Sequence, residues 1–237
     1  MRQIIAMGGG GFSMEPENLL LDTYILNQSL KDQPSVCFVP TASGDQELYI
    51  KRFYQSFIKM KCVPSHLSLF EPNFTDLERY IMEKDILYVG GGNTRNMLVL
   101  WKEWGIDVIL KKAYHNGTIL VGLSAGSICW FEEGLTDPLN GPLYKINGLG
   151  FLHGSHCPHY DGEEKRQSSY QRMLTSKEIS AGYAVDDGAA LHFINEKVSQ
   201  TISSRLEAKA YYLSNENGRV VEEPMDALYL GNKKLIL

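Results

Sequence analysis

An α/β fold with a doubly wound, mostly parallel sheet is predicted by short apolar β-branched runs, by the amphipathic segments that alternate with them, and by glycine clusters where the runs end. Ile4-Ile5-Ala6-Met7, Ser35-Val36-Cys37-Phe38-Val39, Asp85-Ile86-Leu87-Tyr88-Val89 and Thr118-Ile119-Leu120-Val121-Gly122 lack polar alternation, so each reads as a strand buried on both faces. Helical patterns fill the intervals at about residues 16–30, 46–61 and 74–82, and as a pair over 94–115. Strand, helix, strand in that order requires crossover connections and therefore parallel neighbours. Residues 64–69 can add a further strand. Beyond Ser124 the pattern is less regular. Turn-rich stretches cover 134–141 and 153–162, a helix is predicted over 164–175, and strands near 182–185, 190–194, 208–213 and 227–230. No repeat, linker or charge block divides the 237 residues, so one domain over residues 1–237 with an elaborated C-terminal third is expected.

Composition narrows the function classes. Lys plus Arg total 23 against 28 Asp plus Glu, a net charge of −5, so no overall field draws nucleic acid or an anionic membrane, and neither is expected as a partner. The four cysteines, Cys37, Cys62, Cys129 and Cys157, form no CxxC pair and show neither zinc spacing nor a disulfide framework. No apolar stretch approaches the roughly 18 residues of a membrane span. A reducing, cytoplasmic location, no metal and no cofactor are the expectations, with a small molecule or short peptide as substrate. A homodimer is one candidate for the oligomeric state.

The segment richest in chemistry is Thr118 to Trp130, where an apolar strand enters Gly122-Leu123-Ser124-Ala125-Gly126 and an apolar helix is predicted to leave it. That context makes Gly-x-Ser-x-Gly a nucleophile elbow: the glycines let the chain reverse sharply, and the serine hydroxyl stands at the carboxyl edge of the sheet. The Ala125 amide then opens a helix and can donate to an oxyanion. The alternative is a tight strand-to-helix turn without chemistry.

A serine nucleophile needs a base, and histidine suits neutral pH. His66, His115 and His192 fall within predicted strands or helices, where a structural role is expected. His153, His156 and His159 share one turn-rich stretch, where a His/Cys metal cluster is the competing reading. Pro158 fixes the approach of His159, which favours His159 as a positioned base. A carboxylate must hold the imidazole tautomer, and Asp187, in Val185-Asp186-Asp187-Gly188, competes with Asp137, in Leu135-Thr136-Asp137-Pro138. Val89-Gly90-Gly91-Gly92-Asn93-Thr94 follows a strand and opens a helix without a Walker lysine, so a second oxyanion donor is its functional reading. Gly8-Gly9-Gly10-Gly11 is read as a structural turn.

Taken in order, Gly8 to Phe12, Val89 to Thr94, Gly122 to Gly126, Pro158-His159-Tyr160 and Val185-Asp186-Asp187 resemble peptidase E and its relatives, the serine-dependent aspartyl dipeptidases and cyanophycinases. The resemblance covers most of the chain. It implies a three-layer sandwich similar to the class I glutamine amidotransferase and flavodoxin-like sheets, and peptide hydrolysis without a metal. It puts Ser124 at the nucleophile, His159 at the base, and Gly92, with Gly91 beside it, opposite the Ala125 amide. For the acid the resemblance is divided, since cyanophycinase-like members place an acidic residue where Asp187 stands and a peptidase E proposal uses an aspartate resembling Asp137; Asp187 is favoured and Asp137 kept. Preference for an N-terminal aspartate would call for a cation: Arg166 can fork onto a carboxylate, or is a charge on the helix surface. Asn93 joins it as a candidate substrate contact. The expected activity is a serine peptidase, dipeptidase-like, acting through a Ser-His-acid triad and an acyl-enzyme. An esterase or amidohydrolase using the same elbow, and a non-catalytic ligand-binding module, are the alternatives.

Overall fold

The four apolar runs become strands whose successive side chains enter opposite cores. A computed structural model of the protein describes residues 1–72, 74–137 and 141–232. Its first half runs β1 (Gln3–Met7), α1 (Gly11–Met14), α2 (Leu20–Leu26), β2 (Ser35–Val39), α3 (Glu47–Phe57), β3 (Val63–His66), α4 (Leu77–Met82), β4 (Ile86–Val89), α5 (Thr94–Trp104), α6 (Ile106–His115) and β5 (Ile119–Leu123). Ile4 and Ala6 of β1 and Leu87 and Val89 of β4 pack into one core with Trp101 and Trp130. Ile5, Met7, Ile86 and Tyr88 pack on the other face with Phe12, Phe38, Phe53 and Phe57. The period of two along each strand thus feeds both layers, which is why these runs carry no polar alternation.

Helix limits follow local chemistry. Asp76 and Asn93 cap α4 and α5, accepting from the amides of Arg79 and Asn96 at 2.9 Å each. Gly105, at φ 69°, ends α5 and opens α6. The helix expected from residue 16 begins only at Leu20, because the preceding segment is taken up by tertiary contacts: Glu15 binds Arg205 at 2.7 Å and Ser204 at 2.9 Å, and Asn18 donates to the Ser204 carbonyl.

The second half continues with α7 (Ala125–Ile128), β6 (Phe131–Thr136), β7 (Tyr144–Asn147), β8 (Leu152–Cys157), α8 (Glu164–Thr175), β9 (Gly182–Val185), β10 (Ala189–Ile194), β11 (Lys197–Ser203), β12 (Ala210–Glu216), β13 (Arg219–Met225) and β14 (Leu228–Tyr229). One eight-stranded sheet has the order β14-β11-β10-β1-β5-β4-β2-β3, parallel from β1 to β3 and antiparallel where β10 joins β1. A six-stranded sheet has the order β13-β12-β9-β8-β6-β7. The mixed α/β class agrees with the sequence; the second sheet is an addition to it.

Two expectations are corrected here. The stretches read as turn-rich begin inside β6 and β8, taking in residues 134–136 and 153–157, because Gly134 and Gly154 mark close approach and not turns: a Cβ on Gly134 would meet Ile128 Cγ2 at 2.6 Å, and one on Gly154 would meet the Ala181 carbonyl at 2.5 Å. Residues 138–140 of the first stretch lie outside the described residues. The helix leaving the elbow is only one turn long, since the Cys129 and Trp130 carbonyls accept instead from the amides of Leu149, Phe151 and Leu152 at 2.7–2.9 Å. Among the described residues no helix is long and apolar enough to cross a membrane.

Candidate active site

The elbow is built by backbone packed on backbone. A Cβ on Gly122 would collide with the Gly126 carbonyl, and one on Gly126 with the Val89 carbonyl, so only glycine lets α7 fold back over β5 and β4. Ser124 between them has φ 53° and ψ −116°, a conformation that costs a non-glycine residue of order 1–3 kcal/mol. Neighbouring bonds hold it there: the Ser124 amide donates to the Met7 carbonyl at 3.3 Å, and its carbonyl accepts from the amides of Ser127 and Ile128 at 2.9 and 3.0 Å. Among the described residues the Ser124 hydroxyl makes no hydrogen bond.

β1 carries the geometry across the sheet. Met7 pairs with Leu123 on one side and Ala190 on the other, and Gly9 bridges to Asp187. The carboxyl end of β1 is therefore flanked by Ser124 and by Asp187. A Cβ on Gly9 would fall on Asp187 Oδ1, and the Gly188 amide donates to the Gly9 carbonyl at 3.1 Å. The first glycine run thus makes room for a carboxylate in addition to turning the chain.

His159 reaches the same place from the end of β8. It has φ 55°, and the Tyr160 amide behind it donates to the Val185 carbonyl at 3.1 Å. His159 Nδ1 lies 2.6 Å from Asp187 Oδ1, with the two side chains 13% and 12% exposed. Burial pushes the Asp187 pKa up, but the hydrogen bond from His159 and the charges of His159, Arg205 and Arg166 outweigh it, and the net shift is downward. Asp161 Oδ1 accepts from the Asp187 amide at 2.8 Å, an orienting residue the sequence reading missed although it sits two positions beyond His159.

Asp137 follows a strand that pairs with β8, but its carboxylate turns to Arg166. β6 and β8 run parallel with Gly134 opposite His156, so Asp137 and His159 leave adjacent strand ends. The Asp137 carboxylate faces Arg166 Nη2 at 3.5 Å. Arg166 is 3% exposed, so it is no helix-surface charge. Its Nε donates to Glu163 at 2.6 Å and its Nη1 to the Leu135 carbonyl at 2.9 Å.

The second glycine loop abuts the serine: a Cβ on Gly91 would lie 3.3 Å from Ser124 Cβ. The Gly91 amide donates to the Tyr49 hydroxyl at 3.2 Å. Gly92, at φ 137°, packs on the Ala42 carbonyl where any side chain would collide, and among the described residues its amide is unbonded. The Asn93 amide donates to that same Ala42 carbonyl at 2.7 Å, and its side chain caps α5. The remaining histidines separate. His153 is exposed beside Glu132, His156 is buried on Phe131, and His66, His115 and His192 bond to Tyr54, the Lys111 carbonyl, and Tyr24 with Gln3.

The chain is 60% identical over 231 residues, 98% of its length and all of the relative's, to a Bacillus subtilis (strain 168) protein called uncharacterized peptidase YgaJ. Uncharacterized peptidase Lmo0363 of Listeria monocytogenes is 26% identical across 73% of this chain and 86% of its own. Two solved structures share the fold: a peptidase from an acI-B1 actinobacterium (TM-score 0.66, 18% identity, 96% of this chain and 95% of that one) and a putative peptidase E protein from L. monocytogenes EGD-e (TM-score 0.59, 16% identity, 95% and 100%). The model of peptidase family S51 matches residues 4–201, and the chain is accordingly a serine-type peptidase that belongs to this family.

Proposed function

We propose that the protein hydrolyses short peptides, dipeptides foremost, with Ser124 as nucleophile, His159 as general base and Asp187 as its acid partner. The single observation that carries this reading is the 2.6 Å His159–Asp187 pair at the end of β1, across that strand from the strained serine. An ionised carboxylate only accepts, so Nδ1 holds the imidazole proton and Nε2 is left with a lone pair. Ser124 Oγ attacks the scissile carbonyl carbon and its proton passes to Nε2. The amides of Gly92 and Ala125 receive the developing oxyanion. His159 then protonates the leaving amine; a water deprotonated by the same Nε2 attacks the acyl carbon, and that proton passes to Ser124 Oγ as the carbon–oxygen bond breaks and the acid leaves.

The preference for short peptides rests on the resemblance of the glycine, Pro-His-aromatic and Asp-Asp motifs to peptidase E. Arg166 reads an acidic substrate side chain by exchange with Asp137, whose contact is the longest that the guanidinium makes. Four free thiols, three of them buried, suit a reducing cytoplasm. A dipeptide library run beside a panel of small esters, each with the Ser124→Ala control, tests the reading. Hydrolysis of dipeptides that disappears in the variant is expected. Cleavage of esters alone, or undiminished peptide hydrolysis by Ser124→Ala, rejects it.

A further inference from the structure

Behind the elbow lies a buried polar chain that the proposed hydrolysis does not use. Ser127, in the single turn of α7, and His156, on β8, are both 0% exposed. Ser127 Oγ is 2.8 Å from the Ser124 carbonyl oxygen and 2.9 Å from His156 Nε2. A hydroxyl has one proton to donate, and a carbonyl oxygen has none. The contact with Ser124 therefore takes the hydroxyl proton, and the contact with His156 needs a proton on Nε2. The opposite tautomer would leave two oxygens 2.8 Å apart with nothing between them.

His156 is thus a neutral imidazole with a bare Nδ1, and among the described residues Nδ1 completes no hydrogen bond. Burial drives its pKa down to about 3, so the ring is neutral, and the two Ser127 distances alone place its proton. The ring is clamped flat on Phe131, centroids 4.6 Å apart and planes 7° from parallel.

The Ser124 carbonyl belongs to the same planar peptide unit as the Ala125 amide, and in a trans peptide the two point in opposite directions. Fixing the carbonyl from inside the core aims the amide outward. Donation to the carbonyl also polarises the unit and strengthens the amide as a donor. We propose that His156, acting through Ser127, is a positioning residue that aims and strengthens the Ala125 amide toward the oxyanion. This rests on Ser124 being the nucleophile.

The proposal is tested first without turnover, by long-range proton–nitrogen NMR of protein labelled with nitrogen-15 histidine. His156 is expected to keep its proton on Nε2 from about pH 5 to 8, far from the titration of an ordinary histidine. A proton on Nδ1, or titration of this ring in that interval, overturns the proposal. In kinetics, Ser127→Ala and His156→Leu should lower kcat about tenfold to a hundredfold, the cost of one buried donor, with KM within about twofold. His156→Gln, whose side-chain amide can donate from near the Nε2 position, should recover most of that loss. Equal losses in the Leu and Gln variants, both folded by thermal unfolding, overturn the relay. Hydrolysis surviving in Ser124→Ala would instead sink the nucleophile reading and leave the tautomer result untouched.

Discussion

Asp187→Asn keeps the side chain's shape and removes the charge that faces His159. The carboxylate accepts from Nδ1 at 2.6 Å in a site where both side chains are about nine-tenths buried. A charge-assisted bond of this length is about twice as strong as a neutral one. An asparagine that turned its NH2 toward His159 would also force the imidazole proton onto Nε2, where a base must be bare. In Ser-His-Asp triads this substitution lowers kcat by about 10⁴, or about 5.4 kcal/mol at 1.36 kcal/mol per tenfold. Asp137→Asn disturbs a 3.5 Å contact made by a carboxylate 43% exposed. A pair so open to solvent is worth about 0–1 kcal/mol, at most about fivefold. The two variants should differ in kcat by about 10³, read on the best dipeptide substrate with active sites counted by a serine-directed phosphonate. A larger loss in Asp137→Asn, or both variants within tenfold of wild type, refutes Asp187 as the acid partner.

Gly92→Ala should move the loop, since φ 137° and the Ala42 carbonyl leave no room for a Cβ. Withdrawal of one oxyanion donor then costs about 2.7–4 kcal/mol in kcat with KM little changed, and a kcat within threefold of wild type would exclude that role. Arg166→Met should lower Asp-X cleavage relative to Ala-X while Asp137→Asn raises it; an unchanged ranking in both variants rejects recognition by exchange. Asp22, buried beneath Phe12 and Tyr88, has its pKa raised by burial to about 7 from 3.8. The folded state then holds a proton that the unfolded state has released, so stability is full below about pH 4 and falls as pH rises through about 7, by up to about 4 kcal/mol. Urea denaturation across this range should show the decline in wild type and a flatter profile in Asp22→Asn; parallel profiles would refute the linkage.

Strands buried on both faces were legible because their signal is local: apolar residues at every position need no knowledge of the partner strand. α8 was legible over residues 164–175 for the same reason. β6 and β8 were not, because Gly134 and Gly154 look like turn residues until Ile128 and Ala181 are seen against them. The chain Ser124, Ser127, His156 escaped as well. Its members are 29 residues apart at the longest link and meet only through the packing of α7 on β8.

By itself the sequence determined where the elbow lies, since Gly122, Ser124 and Gly126 act on one another across a few bonds, and it reduced the histidine and carboxylate candidates to a short set. Only the tertiary structure decided which acid His159 touches. Asp137 and Asp187 both follow strands that end beside β8, and either fits a pattern of residue types. The difference lies in side-chain direction. Asp187 is turned to His159 by the Gly9 bridge and the Asp161 carboxylate, while Asp137 is drawn to a buried Arg166 that the sequence also offered as a surface charge. Strand register and the pairing of buried charges are set by contacts many residues apart, and no local pattern records them.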